Sequence, residues 1–310
     1  SSKKTKILNK TDPTIFEKSI KNDVEIQNVR LAHKKDGLAM LNVLYWIEKN
    51  KRRRISEIEI IQTLANLRKK SSNYFGPSFD TICGSGPNGA IIHYRANYKS
   101  NRIIKNGDLI LIDSGGQYLE GTTDITRTIG FGKINQLKRK HYTLVLKGMI
   151  AISKLKWPQG LSGKDLDSIA RYYLWQEDLD YDHGTGHGVG SFLSVHEGPQ
   201  AISKRNEVEL KPGMVVSNEP GYYLKNSHGI RIENLLLIKE PKKNIPNKIS
   251  TLSFETLTYC PLDKKLILKE LLNSTEIDWI NKYHQKVLQK FAHKLSDEQK
   301  TWLINLCSKI

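Results

Sequence analysis

Asn106-Gly107-Asp108-Leu109-Ile110-Leu111-Ile112-Asp113 and Pro212-Gly213-Met214-Val215-Val216-Ser217-Asn218-Glu219 are the two stretches that decide the architecture of this 310-residue chain. In each, a turn glycine is followed six residues later by a carboxylate that ends a β-rich run. A glycine- and tyrosine-bearing turn comes next, Ser114-Gly115-Gly116-Gln117-Tyr118 in the first copy and Pro220-Gly221-Tyr222-Tyr223 in the second. A return strand then carries another carboxylate: Asp124 in Asp124-Ile125-Thr126-Arg127, and Glu233 in Ile230-Arg231-Ile232-Glu233. Alternation along a strand puts Asp124 and Thr126 on one face, and likewise Arg231 and Glu233. The pattern predicts a degenerate internal duplication, two hairpins that each turn a pair of carboxylates toward one shared interior.

A fifth donor sits between the copies. His183-Gly184-Thr185-Gly186-His187-Gly188-Val189-Gly190 is a glycine-rich loop with two imidazoles, and its glycines allow close backbone approach. Four carboxylates (Asp113, Asp124, Glu219 and Glu233) and one imidazole (His187) can hold two divalent cations if two of the carboxylates bridge. Such a centre lowers the pKa of bound water far enough to give hydroxide at neutral pH. Any one of these acids alone reads as a strand-end residue in solvent; the repeated spacing argues against that for the set. His196, in Ser194-Val195-His196-Glu197-Gly198-Pro199, and His93, in Asn88-Gly89-Ala90-Ile91-Ile92-His93-Tyr94, add further imidazoles. Alone, each is an ordinary hydrogen-bonded group. Together with His183 they fit the donors that peptide hydrolysis needs for an oxyanion and a leaving nitrogen.

Bulk properties narrow the field. The composition, 38% hydrophobic and 26% charged, is that of a soluble globular chain, and its apolar runs are too short for a membrane span. Cys83, Cys260 and Cys307 lack metal-type spacing and read as free thiols in a reducing compartment. A net charge of +17 permits contact with nucleic acid or acidic membranes. The lysines are scattered, however, and the densest cluster, Lys51-Arg52-Arg53-Arg54, falls between two helical patterns without interleaved aromatics. Nucleic acid and membrane are therefore not read as partners.

Along the chain, residues 1 to about 20 are polar and aperiodic. Asn22 with Glu25 and Ser56 with Glu59 read as helix-starting boxes. A stripe from Val29 to Ile47 follows the first, with Gly37 as a weak point. Residues 74–98 read as turns and strands, Leu137–Leu155 as an amphipathic helix, and Ser162 with Asp165 as the start of another. Thr275 with Asp278 and Ser296 with Gln299 mark two helices in the tail, the first lined by Trp279, Ile280, Tyr283, Val287 and Phe291. Gly84-Ser85-Gly86-Pro87-Asn88-Gly89 matches a dinucleotide fingerprint literally, but a proline interrupts it, and the position about 20 residues on, where an acidic residue is expected, falls among Arg102, Ile103 and Lys105.

Several longer runs carry a resemblance. They are Gly86-Pro87-Asn88-Gly89-Ala90-Ile91-Ile92-His93-Tyr94, Asp113-Ser114-Gly115-Gly116, Gly121-Thr122-Thr123-Asp124-Ile125-Thr126-Arg127, the loop from His183 to Gly190, and Glu219-Pro220-Gly221-Tyr222-Tyr223. By them the chain, from about residue 20 to its end, resembles the Xaa-Pro aminopeptidases (aminopeptidase P), a branch of the metallopeptidases with the pita-bread fold. The tail beginning Phe254-Glu255-Thr256-Leu257-Thr258 resembles the C-terminal extension of the larger cytosolic, three-domain type.

The resemblance implies an α+β pita-bread (creatinase/aminopeptidase) fold with pseudo-twofold related halves and a C-terminal helical extension. Residues 1–20 would be a linker or the remnant of a preceding domain, 21–258 the catalytic domain and 259–310 the extension. Asp113 would chelate one metal and His187 with Glu219 the other, while Asp124 and Glu233 bridge. His93, His183 and His196 would contact substrate, with His93, His196 and Glu219 catalytic, and Arg231 would orient the ligands. Two Mn²⁺ ions are the expected cofactors, with Co²⁺ and Zn²⁺ as alternatives. The implied reaction releases the N-terminal residue from peptides with a penultimate proline in the cytoplasm, by a metal-bridging hydroxide. The domains that precede the catalytic one in three-domain relatives, and help shape their dimer contacts, are not in this sequence, so a homodimer stays open. Prolidases and methionine aminopeptidases share the five ligands, silent pita-bread binding modules have lost them, and creatinases run without this set.

Overall fold

The computed structural model of the chain describes residues 9, 10, 12–240 and 249–310. Asn22 accepts from the Glu25 backbone while the Glu25 carboxylate accepts from the Asn22 N–H, both at 3.0 Å, and this reciprocal cap opens the long helix α2 (Asp23–Asn50) behind the short α1 (Thr14–Ser19). Ser56 and Glu59 cap α3 (Glu57–Lys69) in the same way. The basic run at 51–54 is the exposed turn between those two helices.

Strands follow: β1 (Tyr74–Pro77), β2 (Ile82–Ser85), β3 (Leu109–Ser114), β4 (Gly116–Tyr118), β5 (Gly121–Thr122) and β6 (Ile125–Gly130). After α4 (Gln136–Lys154), β7 (Lys156–Pro158) and α5 (Gly163–Trp175) come β8 (Gly186–His187), β9 (Ala201–Ile202), β10 (Val215–Asn218), β11 (Gly221–Leu224), β12 (His228–Arg231), β13 (Asn234–Lys239) and β14 (Thr251–Thr256). The chain closes with α6 (Ser274–Phe291) and α7 (Asp297–Leu306).

Two larger antiparallel sheets, β2-β3-β6 and β10-β13-β14-β7, form the two halves. Each is covered on one face by a pair of helices. Met40, Val43, Leu44, Ile60 and Leu64 of α2 and α3 pack on Ile110, Ile112 and Ile125. Ile152, Leu166 and Ala170 of α4 and α5 pack on Val216, Leu236 and Ile238. Because strand residues alternate, Asp113 and the Val215–Ser217 face that leads to Glu219 point the other way, toward the space between the halves. The α+β architecture expected for the chain is what forms. Each half carries an inserted small hairpin, β4–β5 or β11–β12, so that Asp124 and Glu233 stand immediately before the return strands rather than within them.

Three local readings change. Gly37 does not weaken α2: a Cβ there would lie 2.6 Å from the Tyr259 carbonyl and 2.9 Å from the Phe291 ring, so the glycine lets the tail press onto the helix. The α6 cap is Asn273 with Glu276, not Thr275 with Asp278, because the Asn273 amide oxygen is the group that reaches the third backbone N–H. In the stretch read as a linker, Phe16 and Ile20 pack on the second half and Ile20 bridges to Met214, so packing starts before residue 21; residues 1–8 and 11 of that stretch lie outside the described ones. Gly86–Ala90 is a 3₁₀ turn and not the helix a dinucleotide fingerprint opens, in keeping with the rejection of that match. Ile280, Tyr283, Val287, Phe291 and Leu303 of the tail share one buried cluster with Tyr142, Tyr222 and Ile230, so the tail completes the core.

Candidate metal centre

The five sequence-picked donors converge. One ligand atom each from Asp113, Asp124 and Glu233 lie within 4.8 Å of one another, as do those of His187, Glu219 and Glu233. Asp124 also groups in this way with His187 and His196. Glu233 thus belongs to both triplets, and Asp124 reaches His187 from the first.

Close packing brings them there. A Cβ on Gly186 would fall 1.9 Å from the Ser217 carbonyl, so only glycine lets β8 lie against β10 and deliver His187. Ser217 Oγ then accepts from the His187 N–H at 2.9 Å and donates to Glu219 Oε1 at 2.8 Å. A Cβ on Gly115 would fall 2.0 Å from the Thr123 carbonyl, which is how the chain beyond Asp113 doubles back to Asp124. From α5, Asp167 accepts from the Thr185 hydroxyl at 2.7 Å and Arg171 donates to the His183 carbonyl at 2.7 Å, which fixes the loop that bears both imidazoles.

Hydrogen bonding prepares the donors unequally. His187 Nδ1 lies 2.9 Å from the Gly188 carbonyl, so Nδ1 carries the proton and Nε2 faces Glu219 Oε1 at 3.2 Å and Asp124 Oδ2 at 3.4 Å. Arg231 donates to Asp113 Oδ2 at 2.6 Å, and Thr126 Oγ1 donates to Glu233 Oε2 at 2.8 Å. The remaining oxygens, Asp113 Oδ1, Asp124 Oδ1 and Glu233 Oε1, are buried without a protein partner.

Charge explains why such a cluster wants cations. Burial, with Asp113 and Glu219 adding to it, pushes Asp124 up to about 7. Burial also raises Glu233 well above the usual carboxylate range, helped by Asp124, Glu219 and Asp113. Burial opposes charge on His187 too, yet Asp124 and Glu219 overcome it and hold the imidazole well above its usual range. Glu219, despite burial, is drawn down to about 2 by His187 and Arg231. Protons stand in for positive charge. Divalent ions would take their place, because ligands bind deprotonated and three buried oxygens are otherwise bare. The residues fit a dinuclear centre.

The histidines are placed differently from one another. His93, His183 and His196 all line the cleft of about 340 Å³ that opens onto the cluster. His196 is exposed and stacks edge-on against His187, ring centroids 4.1 Å apart. His93 sits on an exposed turn. His183 is occupied at both nitrogens: Nδ1 faces the Gly184 carbonyl and Nε2 faces Tyr223 Oη, each at 2.8 Å. Arg231 donates to the same Tyr223 oxygen at 2.6 Å, and burial pushes that phenol up to about 12, so it donates onward to His183. Tyr223 and Thr126 are therefore site residues that the motif reading passed over. Their signal was available: Tyr223 shares its face of β11–β12 with Arg231, as Thr126 shares its face with Asp124.

Two family models match. Metallopeptidase family M24 covers residues 27–240, and the C-terminal region of peptidase M24 covers residues 250–310. A probable Xaa-Pro aminopeptidase P from Paracoccidioides brasiliensis (strain Pb03) is 47% identical over 295 residues, 92% of this chain and 48% of that protein. The crystal structure of X-prolyl aminopeptidase from Caenorhabditis elegans, described as a cytosolic enzyme with a di-nuclear active site, superposes with a TM-score of 0.93. Identity there is 38%, over 97% of this chain and 50% of that one. Xaa-Pro dipeptidase from Bacillus anthracis matches with a TM-score of 0.69 and 29% identity over 81% of this chain and 64% of that one. The chain spans about half the length of the curated relatives it matches. With two family models over most of its length and a pita-bread fold in which the five donors meet, the chain belongs to metallopeptidase family M24.

Proposed function

We propose that this chain is the catalytic portion of a dinuclear metalloaminopeptidase that releases the N-terminal residue from peptides with proline in second position. The observation that carries the reading is the convergence of four carboxylates and one imidazole, three of the carboxylates with bare buried oxygens, at the base of an open cleft. Asp113, Asp124 and Glu233 would hold one ion, and His187 with Glu219, Glu233 and Asp124 the other. A set this rich in carboxylates suits Mn²⁺. When bound, two such ions supply Lewis acidity and make water reactive at neutral pH.

The remaining work falls to side chains. An X–Pro bond is a tertiary amide without an N–H, so recognition rests on its carbonyl and on the peptide's free amine. Glu219 takes the proton released as water adds to the scissile carbonyl and passes it toward the proline nitrogen. His196, exposed beside His187, donates to the developing oxyanion. His93 helps place the peptide. His183, tied through Tyr223 to Arg231, holds the cleft wall and the guanidinium that steadies Asp113. A cytoplasmic setting is supported by the cytosolic neighbour and by three buried free thiols.

Arg-Pro-Pro hydrolysis tests the reading. Metal-stripped protein should be silent, and Mn²⁺ should restore release of free arginine. Silence with two metals demonstrably bound would overturn it. Cleavage of the dipeptide Arg-Pro with the tripeptide untouched would instead support a prolidase, the reading that the dipeptidase neighbours favour.

A further inference from the structure

Two grooves meet at an exposed ion pair. Asp80 and Arg95 line the cleft above the five donors, and both also line a second groove of about 740 Å³ beside it. Ile61 and Lys69 of α3 and Tyr74, Phe75 and Pro77 of β1 form its walls. The Arg95 guanidinium lies 3.5 Å from the Asp80 carboxylate, and the two side chains are 80% and 72% exposed. The other guanidinium groups on these grooves are committed. Arg68 is buried against Asp36 and Ser114, and Arg231 against Asp113 and Tyr223. An exposed pair contributes only about 0–1 kcal/mol, so a carboxylate arriving from solvent can displace Asp80 at little cost and gain a planar, bidentate partner.

An apolar shelf adjoins that cation. Phe75 is 67% exposed, an unusual state for a phenylalanine, and it packs edge-on against Phe192 with ring centroids 5.2 Å apart. Phe192 belongs to the loop between His187 and His196, so the shelf abuts the reacting end of the cleft.

We infer that the second groove receives the part of the peptide beyond proline. Phe75 would hold an apolar side chain at the third position, and Arg95 would exchange Asp80 for the C-terminal carboxylate of a short peptide. The substrate class is therefore free-acid tripeptides with a large apolar third residue. This assignment rests on the aminopeptidase reading and deepens it.

The test compares Arg-Pro-Phe as the free acid with its C-terminal amide. Calorimetric binding to the metal-free protein reads the contact without chemistry. The acid should bind roughly 10-fold tighter than the amide, and rising salt should narrow the ratio. Arg95→Ala should bring the two within about twofold, whereas Asp80→Asn should widen the gap. Phe75→Ala should cut the preference for Arg-Pro-Phe over Arg-Pro-Gly about 10-fold. All three residues are exposed, so these variants test contact rather than folding. Equal binding of acid and amide by the wild type, or an unchanged ratio in Arg95→Ala, would overturn the assignment. Turnover by the Mn²⁺-loaded protein separates the two claims. Acid-selective binding without arginine release would sink the aminopeptidase reading alone, and release from acid and amide at the same KM would sink the Arg95 assignment alone.

Discussion

The half built on β3 and β6 and the half built on β10 and β13 follow one plan, yet they hold their carboxylates in different ways. In the second half, Glu219 is fixed from its own surroundings by the Ser217 hydroxyl and by His187. In the first half, Asp113 and Asp124 each keep a buried oxygen with no protein partner, and Asp113 is steadied by Arg231, which comes from the other copy. The debt is returned by Thr126, a first-half residue that donates to Glu233. Two further bonds repeat the exchange: the Glu233 N–H donates to the Thr126 carbonyl at 3.1 Å, and Thr128 Oγ1 donates to the Arg231 carbonyl at 2.9 Å. Neither copy could organise the centre alone. The paired hairpins carry the four carboxylates, and bonds between the halves brace them.

The comparison is broken most severely by removing the shared donors. Asp124→Ala and Glu233→Ala should each lower Mn²⁺ stoichiometry below two and reduce kcat by more than about 10³-fold, since on the proposed reading the ions would supply the reactive water. Elemental analysis of the dialysed protein alongside Arg-Pro-Pro turnover checks both. His196→Ala should cost on the order of 10²-fold in kcat, the scale of losing one oxyanion donor, with two metals still bound. Full turnover by that variant would refute its assigned role.

A finer cut tests whether the bracing is as unequal as the geometry says. Arg231→Met removes a buried charged donor at 2.6 Å and also frees Tyr223, whereas Thr126→Val removes one neutral hydroxyl at 2.8 Å. Partners that orient metal ligands typically matter by about 10–100-fold in affinity or activity. Arg231→Met should fall near the upper end and Thr126→Val near the lower, read as Mn²⁺ affinity by titration. Equal losses would mean that the two halves brace each other symmetrically.

Much of this was readable in the chain because it is local. A turn glycine, a strand's two-residue period and a terminal carboxylate are written in consecutive residues, and so is the Asn22–Glu25 cap. What escaped is what one element does to another. Gly37 reads as a helix fault until Tyr259 and Phe291 are seen against it. Arg127 reads as a motif residue, yet it donates to the Glu233 carbonyl at 2.6 Å, the Cys260 carbonyl at 2.9 Å and Tyr283 Oη at 2.6 Å. It thereby joins both halves to the tail. The tail clamps that arginine through Tyr283 and the Cys260 carbonyl.

That clamp gives the smallest and most specific effect. His284, beside Tyr283 on α6, accepts the Leu262 N–H at Nε2, 3.1 Å away, so protonation there would break the bond that ties α6 to the segment following β14. Burial first, then Lys264 and Arg127, push this imidazole down to about 4. In the unfolded chain it titrates near 6.5, so between these values the unfolded state holds more protons and stability falls as pH falls. The destabilisation is negligible above about pH 7 and grows as pH falls toward about 4. His284→Gln keeps an acceptor for Leu262 and removes the titration. Urea unfolding at pH 7 and pH 6 should then show a smaller acid loss for the variant than for the parent. An identical loss in both would mean that the tail's hold on Arg127 is insensitive to this ring, and that acid weakens the halves elsewhere.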